Sequence, residues 1–106
     1  MMPAPPRTTA RESSLLAGAL ARTLRGDGLR AEKAMADFYV LKNPSQPSVL
    51  IEIGYLSNPD EAARLNDPAY QDKLADSLAK AIKGYVAERA LRAGTVAAAA
   101  APPAAL

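Results

Sequence analysis

The run Val49-Leu50-Ile51-Glu52-Ile53, with Pro47 shortly before it and Gly54 directly after, constrains this chain more than any other stretch. Its β-branched and aliphatic residues have high strand propensity, and their near-continuous apolar character predicts a strand covered on both faces, as in a layered α/β sheet. One carboxylate interrupts it. In strand geometry Val49, Ile51 and Ile53 point one way, and Leu50, Glu52 and Gly54 point the other. A carboxylate ending an apolar strand loses hydration, and the crevice beyond strand carboxyl ends is where α/β sheets place ligands, so Glu52 is the candidate functional residue. An edge strand whose Glu52 points to solvent fits the same pattern, and spacing alone does not choose between the two.

The neighbouring segments predict how that strand is covered. Phe38 to Leu41 reads as a second short strand, joined to the first through Asn43-Pro44-Ser45-Gln46-Pro47, whose prolines exclude regular pairing. From about Glu12 to Arg25, residues Leu16, Ala19, Leu20, Thr23 and Leu24 recur at spacings of three and four, which predicts an amphipathic helix. Gly26-Asp27-Gly28 stops it, and Leu29 to Ala36 fits either a further turn of helix or a loop. Asn58-Pro59-Asp60-Glu61 is a helix start with a capping-box spacing, and that helix should end near Asn66. Asp67-Pro68 starts another, in which Tyr70, Leu74, Leu78, Ala81, Ile82, Tyr85 and Val86 form an apolar stripe opposite Asp72, Asp76, Lys80, Lys83 and Arg89. The organisation expected is a disordered segment over 1–11, a folded unit over 12–90 and a low-complexity Ala/Pro tail over 91–106.

Composition narrows the chemistry. The 106 residues include no histidine and no cysteine, which removes the commonest zinc ligand, the commonest general base, and every disulfide. A net charge of +2 is spread along the chain without a basic block, which argues against nucleic-acid binding. The amino terminus lacks the apolar core of a signal peptide, and no run of roughly 18 apolar residues predicts a membrane span. Tyr39, Tyr70 and Tyr85 sit at structural spacings, Arg22, Arg25 and Arg30 read as a solvated face, and Ser57 and Asn58 either cap the following helix or line a site. No phosphate loop, glycosidase-like acid pair or nucleophile elbow is present.

The order FYVL, then NPSQPSVLIEIGYLSNPDEAARL, then Tyr70-Gln71 leading into an amphipathic helix, resembles the C-terminal part of the zinc-dependent N-acetylmuramoyl-L-alanine amidases, the type 3 bacterial cell-wall hydrolases. The family strand has the form P-x-V-L-x-E-x-G-[FY]-L-S-N, and Pro47, Val49, Leu50, Glu52, Gly54, Tyr55, Leu56, Ser57 and Asn58 match it without a gap. The similarity extends from about Ser13 to Tyr85, with Leu15, Leu16, Leu20 and Leu24 on the helix preceding the FYVL strand. The resemblance implies the C-terminal half of a three-layer α/β/α fold with a mixed sheet, here in the order helix-strand-strand-helix-helix. It also implies hydrolysis of the amide between the lactyl group of muramic acid and L-alanine in peptidoglycan, in a periplasmic or extracellular setting. Zinc would polarise the carbonyl and activate water, and Glu52 would act as general base and then general acid.

The departures lie at the metal. Family members hold zinc through two histidines and a glutamate upstream of the first helix seen here, whereas this chain has no histidine. Glu12 and Glu32 match no family ligand position, so the expected metal-ligand set is empty. The turn Leu29-Arg30-Ala31-Glu32-Lys33 also departs from the Arg-Gly usual before the FYVL strand. The expectation is therefore an amidase fragment that keeps its catalytic glutamate and does not hydrolyse peptidoglycan alone. The alternatives are a non-catalytic remnant that binds peptidoglycan or a partner, and an unrelated small α/β protein with a coincidental glutamate. Two strands on their own would leave a sheet edge open to self-association.

Overall fold

A computed structural model of the chain describes residues 7–31 and 46–100. They form three helices, α1 (Arg7–Gly26), α2 (Pro59–Leu65) and α3 (Pro68–Ala100), with a non-helical segment leading into α2. Among the described residues there is no strand, which overturns the expected mixed α/β sheet. The Phe38–Leu41 run lies outside the described residues. Val49 to Ile53 is not helical, yet Leu50, Ile51 and Ile53 are exposed rather than covered. Strand propensity measures how well side chains fit a pleated, half-buried surface, and among the described residues no neighbour pairs with this run, which stays outside any regular element. The sheet edge from which self-association was expected is likewise missing among these residues.

The core is instead a pairing of α1 with α3. Ala19, Leu20, Ala21 and Leu24 of α1 are buried against Ser77, Ala81 and Tyr85 of α3, which recur every fourth residue along one face. The expected α1 stripe is present, with Leu16 and Thr23 half-buried at its margin. Alanines on both helices let the backbones approach closely. On α3 the stripe is only partly covered: Leu74 and Leu78 are half-buried, while Ile82 and Val86 remain exposed, because one partner helix cannot cover an arc that wide.

Polar contacts at both ends make the pairing antiparallel. Near the C-terminal end of α1, Asp27 accepts from the Ser77 hydroxyl and the Lys80 ammonium, each at 2.7 Å. Near its N-terminal end, Glu12 accepts from the Tyr85 hydroxyl at 2.8 Å and pairs with the Arg92 guanidinium. Hydrogen bonds from Arg92 and, more weakly, Tyr85 hold the Glu12 carboxyl below its usual range against the opposing effect of burial. Lys80, then Ser77, do the same for Asp27.

Each helix boundary has a local cause. After α1, the Gly28 amide bonds the Arg25 carbonyl at 3.0 Å and the Leu29 amide bonds the Leu24 carbonyl at 2.9 Å, the Schellman pattern. Gly28 supplies the left-handed residue it requires, at φ +81°, and Leu29 folds back to be buried alongside Leu24. Asn58 caps α2 by accepting from the amides of Asp60 at 3.0 Å and Glu61 at 3.2 Å. Asp67 accepts from the Ala69 amide at 3.0 Å at the start of α3. Both starts agree with the Asn-Pro and Asp-Pro signals. Two boundaries differ from expectation: α1 begins at Arg7, before Glu12, and α3 runs past Gly94 to Ala100. Alanine is the strongest helix former, so an alanine run extends a helix already anchored by packing. No helix among the described residues is long and apolar enough to cross a membrane.

Candidate active site

The segment carrying Glu52 is tied down on both sides. Upstream, the Ser48 amide donates to the Ser13 hydroxyl of α1 at 2.9 Å. Downstream, Gly54 sits at φ +146° against α2, where a Cβ built on it would lie 3.2 Å from Leu65 Cδ1 and 3.7 Å from Glu61 Cβ. A side chain at position 54 is therefore excluded by backbone conformation and crowded by α2. Between these anchors Glu52 leaves the chain as an exposed carboxylate.

Of the two readings left open for Glu52, a desolvated strand end and a side chain pointing to solvent, its exposure agrees with the second. The residues on either side, Ile51 and Ile53, are 39% and 52% exposed, so among the described residues no apolar wall removes water from the carboxylate.

The turn after Gly54 organises the site. The expected capping box would have Glu61 reach back to the Asn58 amide; instead the Glu61 carboxylate accepts from the Tyr55 amide at 2.8 Å. The Asn58 amide in turn donates to the Tyr55 carbonyl at 3.1 Å. Both backbone polar groups of Tyr55 are thus held by the first turn of α2. From that position the Tyr55 hydroxyl donates to Glu52 Oε2 at 3.3 Å. The Glu52 charge, then this hydrogen bond, raise the Tyr55 phenol above its ordinary value, with smaller contributions from burial and Glu61.

Asn58 is therefore a helix cap, the commoner of its two expected roles, and the structure brings Tyr55, named in the sequence only as a match to the family strand, into contact with the candidate carboxylate. Its signal was present in the sequence: a hydroxyl-bearing aromatic three residues after the carboxylate, beyond a glycine that turns the chain.

A zinc-dependent reaction needs about three converging ligands. The chain supplies no histidine or cysteine, and among the described residues no three acidic side chains are grouped to hold a metal. These residues do not fit a zinc centre.

Comparison with known proteins bears on the Glu52 carboxylate. A family model described as N-acetylmuramoyl-L-alanine amidase matches residues 6–84, a range that includes every residue named in this site. The chain is 45% identical over 60 residues to the germination-specific N-acetylmuramoyl-L-alanine amidase of Bacillus subtilis, covering 57% of this chain and 25% of that protein. It is 42% identical over 50 residues to the N-acetylmuramoyl-L-alanine amidase AmiA of Escherichia coli, covering 47% of this chain and 17% of that protein. To AmiC of Escherichia coli O6:H1, also an N-acetylmuramoyl-L-alanine amidase, it is 40% identical over 55 residues, or 52% of this chain and 13% of that protein. The chain thus spans a quarter or less of the length of these relatives. No solved structure matches it.

Proposed function

We propose, from the premise that this chain belongs to the N-acetylmuramoyl-L-alanine amidase family, that it carries the proton-transfer segment of a peptidoglycan amidase, with Glu52 as general base and then general acid. The bond cleaved is the amide joining the muramic acid lactyl group to L-alanine. Glu52 takes a proton from the attacking water as its oxygen adds to the carbonyl carbon. It then passes that proton to the nitrogen as the carbon–nitrogen bond breaks, leaving a carboxylic acid on the lactyl group and an amine on the peptide, and the acid's proton moves to the amine to give carboxylate and ammonium. In the family zinc supplies carbonyl polarisation and water activation; this chain's described residues offer no place for it, and no step above is assigned to it.

The observation that carries the proposal is the family match over residues 6–84, a range that spans Glu52 and the turn that follows. The exposure of Glu52 is compatible with it, since a proton-transfer group must reach the substrate. By itself the chain is proposed to be inactive.

Two measurements test this. The purified chain, incubated with peptidoglycan and zinc, should release no L-alanyl peptides, and release would refute the claim of inactivity. Grafting residues 6–84 in place of the matched segment of the Bacillus subtilis relative should give an active hydrolase. Glu52→Gln in that graft should lower the rate by about 10²–10⁴-fold, the usual worth of a positioned acid–base group. Equal activity of the two grafts would remove Glu52 from the reaction. Peptidoglycan binding by the chain, with no loss of activity in the Glu52→Gln graft, would favour the non-catalytic alternative.

A further inference from the structure

We infer that Tyr55 is a positioning residue for Glu52, its phenol holding the carboxylate in one orientation for proton transfer. The inference rests on the reading of Glu52 as the proton-transfer group. A glutamate on an exposed, unpaired segment has several rotamers open to it, and a proton-transfer group that samples them all is seldom aligned with its substrate. Among the described residues, Tyr55 alone is hydrogen-bonded to the Glu52 carboxylate.

The phenol can do this because its own backbone is fixed. Its amide is held by Glu61 at 2.8 Å and its carbonyl by the Asn58 amide at 3.1 Å. Gly54 lets the chain close against Leu65, and Asn58 locks the helix from which Glu61 projects. Order thus passes from the start of α2 to Tyr55, and from Tyr55 to Glu52. At 3.3 Å the contact is longer than a tight O–H···O bond, so the carboxylate's charge contributes more than the bond itself. The charged groups facing the phenol are Glu52 and, at the opposite end of the residue, Glu61.

The test uses the full chain labelled at tyrosine Cζ and titrated by carbon-13 NMR, with Tyr55→Phe identifying the Tyr55 signal. Glu52→Gln removes the charge, so the Tyr55 midpoint should fall toward that of a free tyrosine while that of Tyr85, raised by burial and Glu12, stays in place. An unmoved midpoint would show that the phenol does not face Glu52, and that result would overturn the inference. Positioning is read separately from the χ1 couplings of Glu52. They should report one dominant rotamer in the wild type and move toward rotamer-averaged values in Tyr55→Phe. Couplings unchanged by the substitution would equally refute it. Both substitutions fall on exposed side chains, so the helical circular-dichroism signal should not change. Neither readout depends on hydrolysis: a failed graft leaves the titration to stand, and an unmoved titration leaves the graft experiment to stand.

Discussion

Leu20→Ala tests whether the α1–α3 pairing is the core of this chain. Leu20 is 4% exposed, so nearly all of its side chain returns to water on unfolding. Truncation to alanine removes three carbons, each worth about 0.8 kcal/mol of transfer free energy, for a loss of about 2.4 kcal/mol. A cavity adds to this in a rigid core and brings Leu→Ala changes to about 2–5 kcal/mol. Among the described residues no side chain falls below 2% exposure, so the helices can close around the gap and the cavity contribution stays small. The expected cost is about 2.5 kcal/mol, roughly a 60-fold shift of the folding equilibrium. Urea denaturation followed at 222 nm should show an earlier midpoint, and for a domain of this size the melting temperature should fall by about 10–20 °C. The control is Leu15→Ala, the same chemistry on the same helix at 38% exposure, which should cost distinctly less. Equal losses in the two variants, or none in either, would refute the claim that this helix pair is what the chain folds around.

Further outcomes follow from the polar contacts. Glu12 and Asp27 have folded-state values depressed by Arg92 with Tyr85 and by Lys80 with Ser77, so their contribution is present above the ordinary carboxylate range and lost as pH falls through the depressed values. An acid titration of helicity should be flat near neutrality and fall below that range, and Glu12→Gln should lower stability at pH 7 while flattening the acid limb. Asn58→Ala removes the oxygen that accepts from Asp60 and Glu61, and should cost α2 about 1 kcal/mol. Hydrogen exchange at those two amides should quicken, while the buried α1–α3 interface keeps its protection.

Sequence alone determined the local features. The Asn58 and Asp67 caps, the glycine stop after α1 and the apolar stripe of Ala19, Leu20 and Leu24 follow from hydrogen bonds and periodicities that span only a few residues. The run through Glu52 likewise identified the family, because family membership is written in residue order rather than in coordinates. Only the tertiary structure decided what Val49 to Ile53 becomes. A strand exists through hydrogen bonds to a neighbour distant in sequence, so its propensity does not say whether such a neighbour is present. The same holds for the surroundings of Glu52. Val49 to Ile53 finds no strand partner among the described residues, and the contact of Glu52 with Tyr55 depends on Glu61 turning from the expected capping box to the Tyr55 amide. Those are competitions between partners, which a linear pattern can enumerate and only packing can settle.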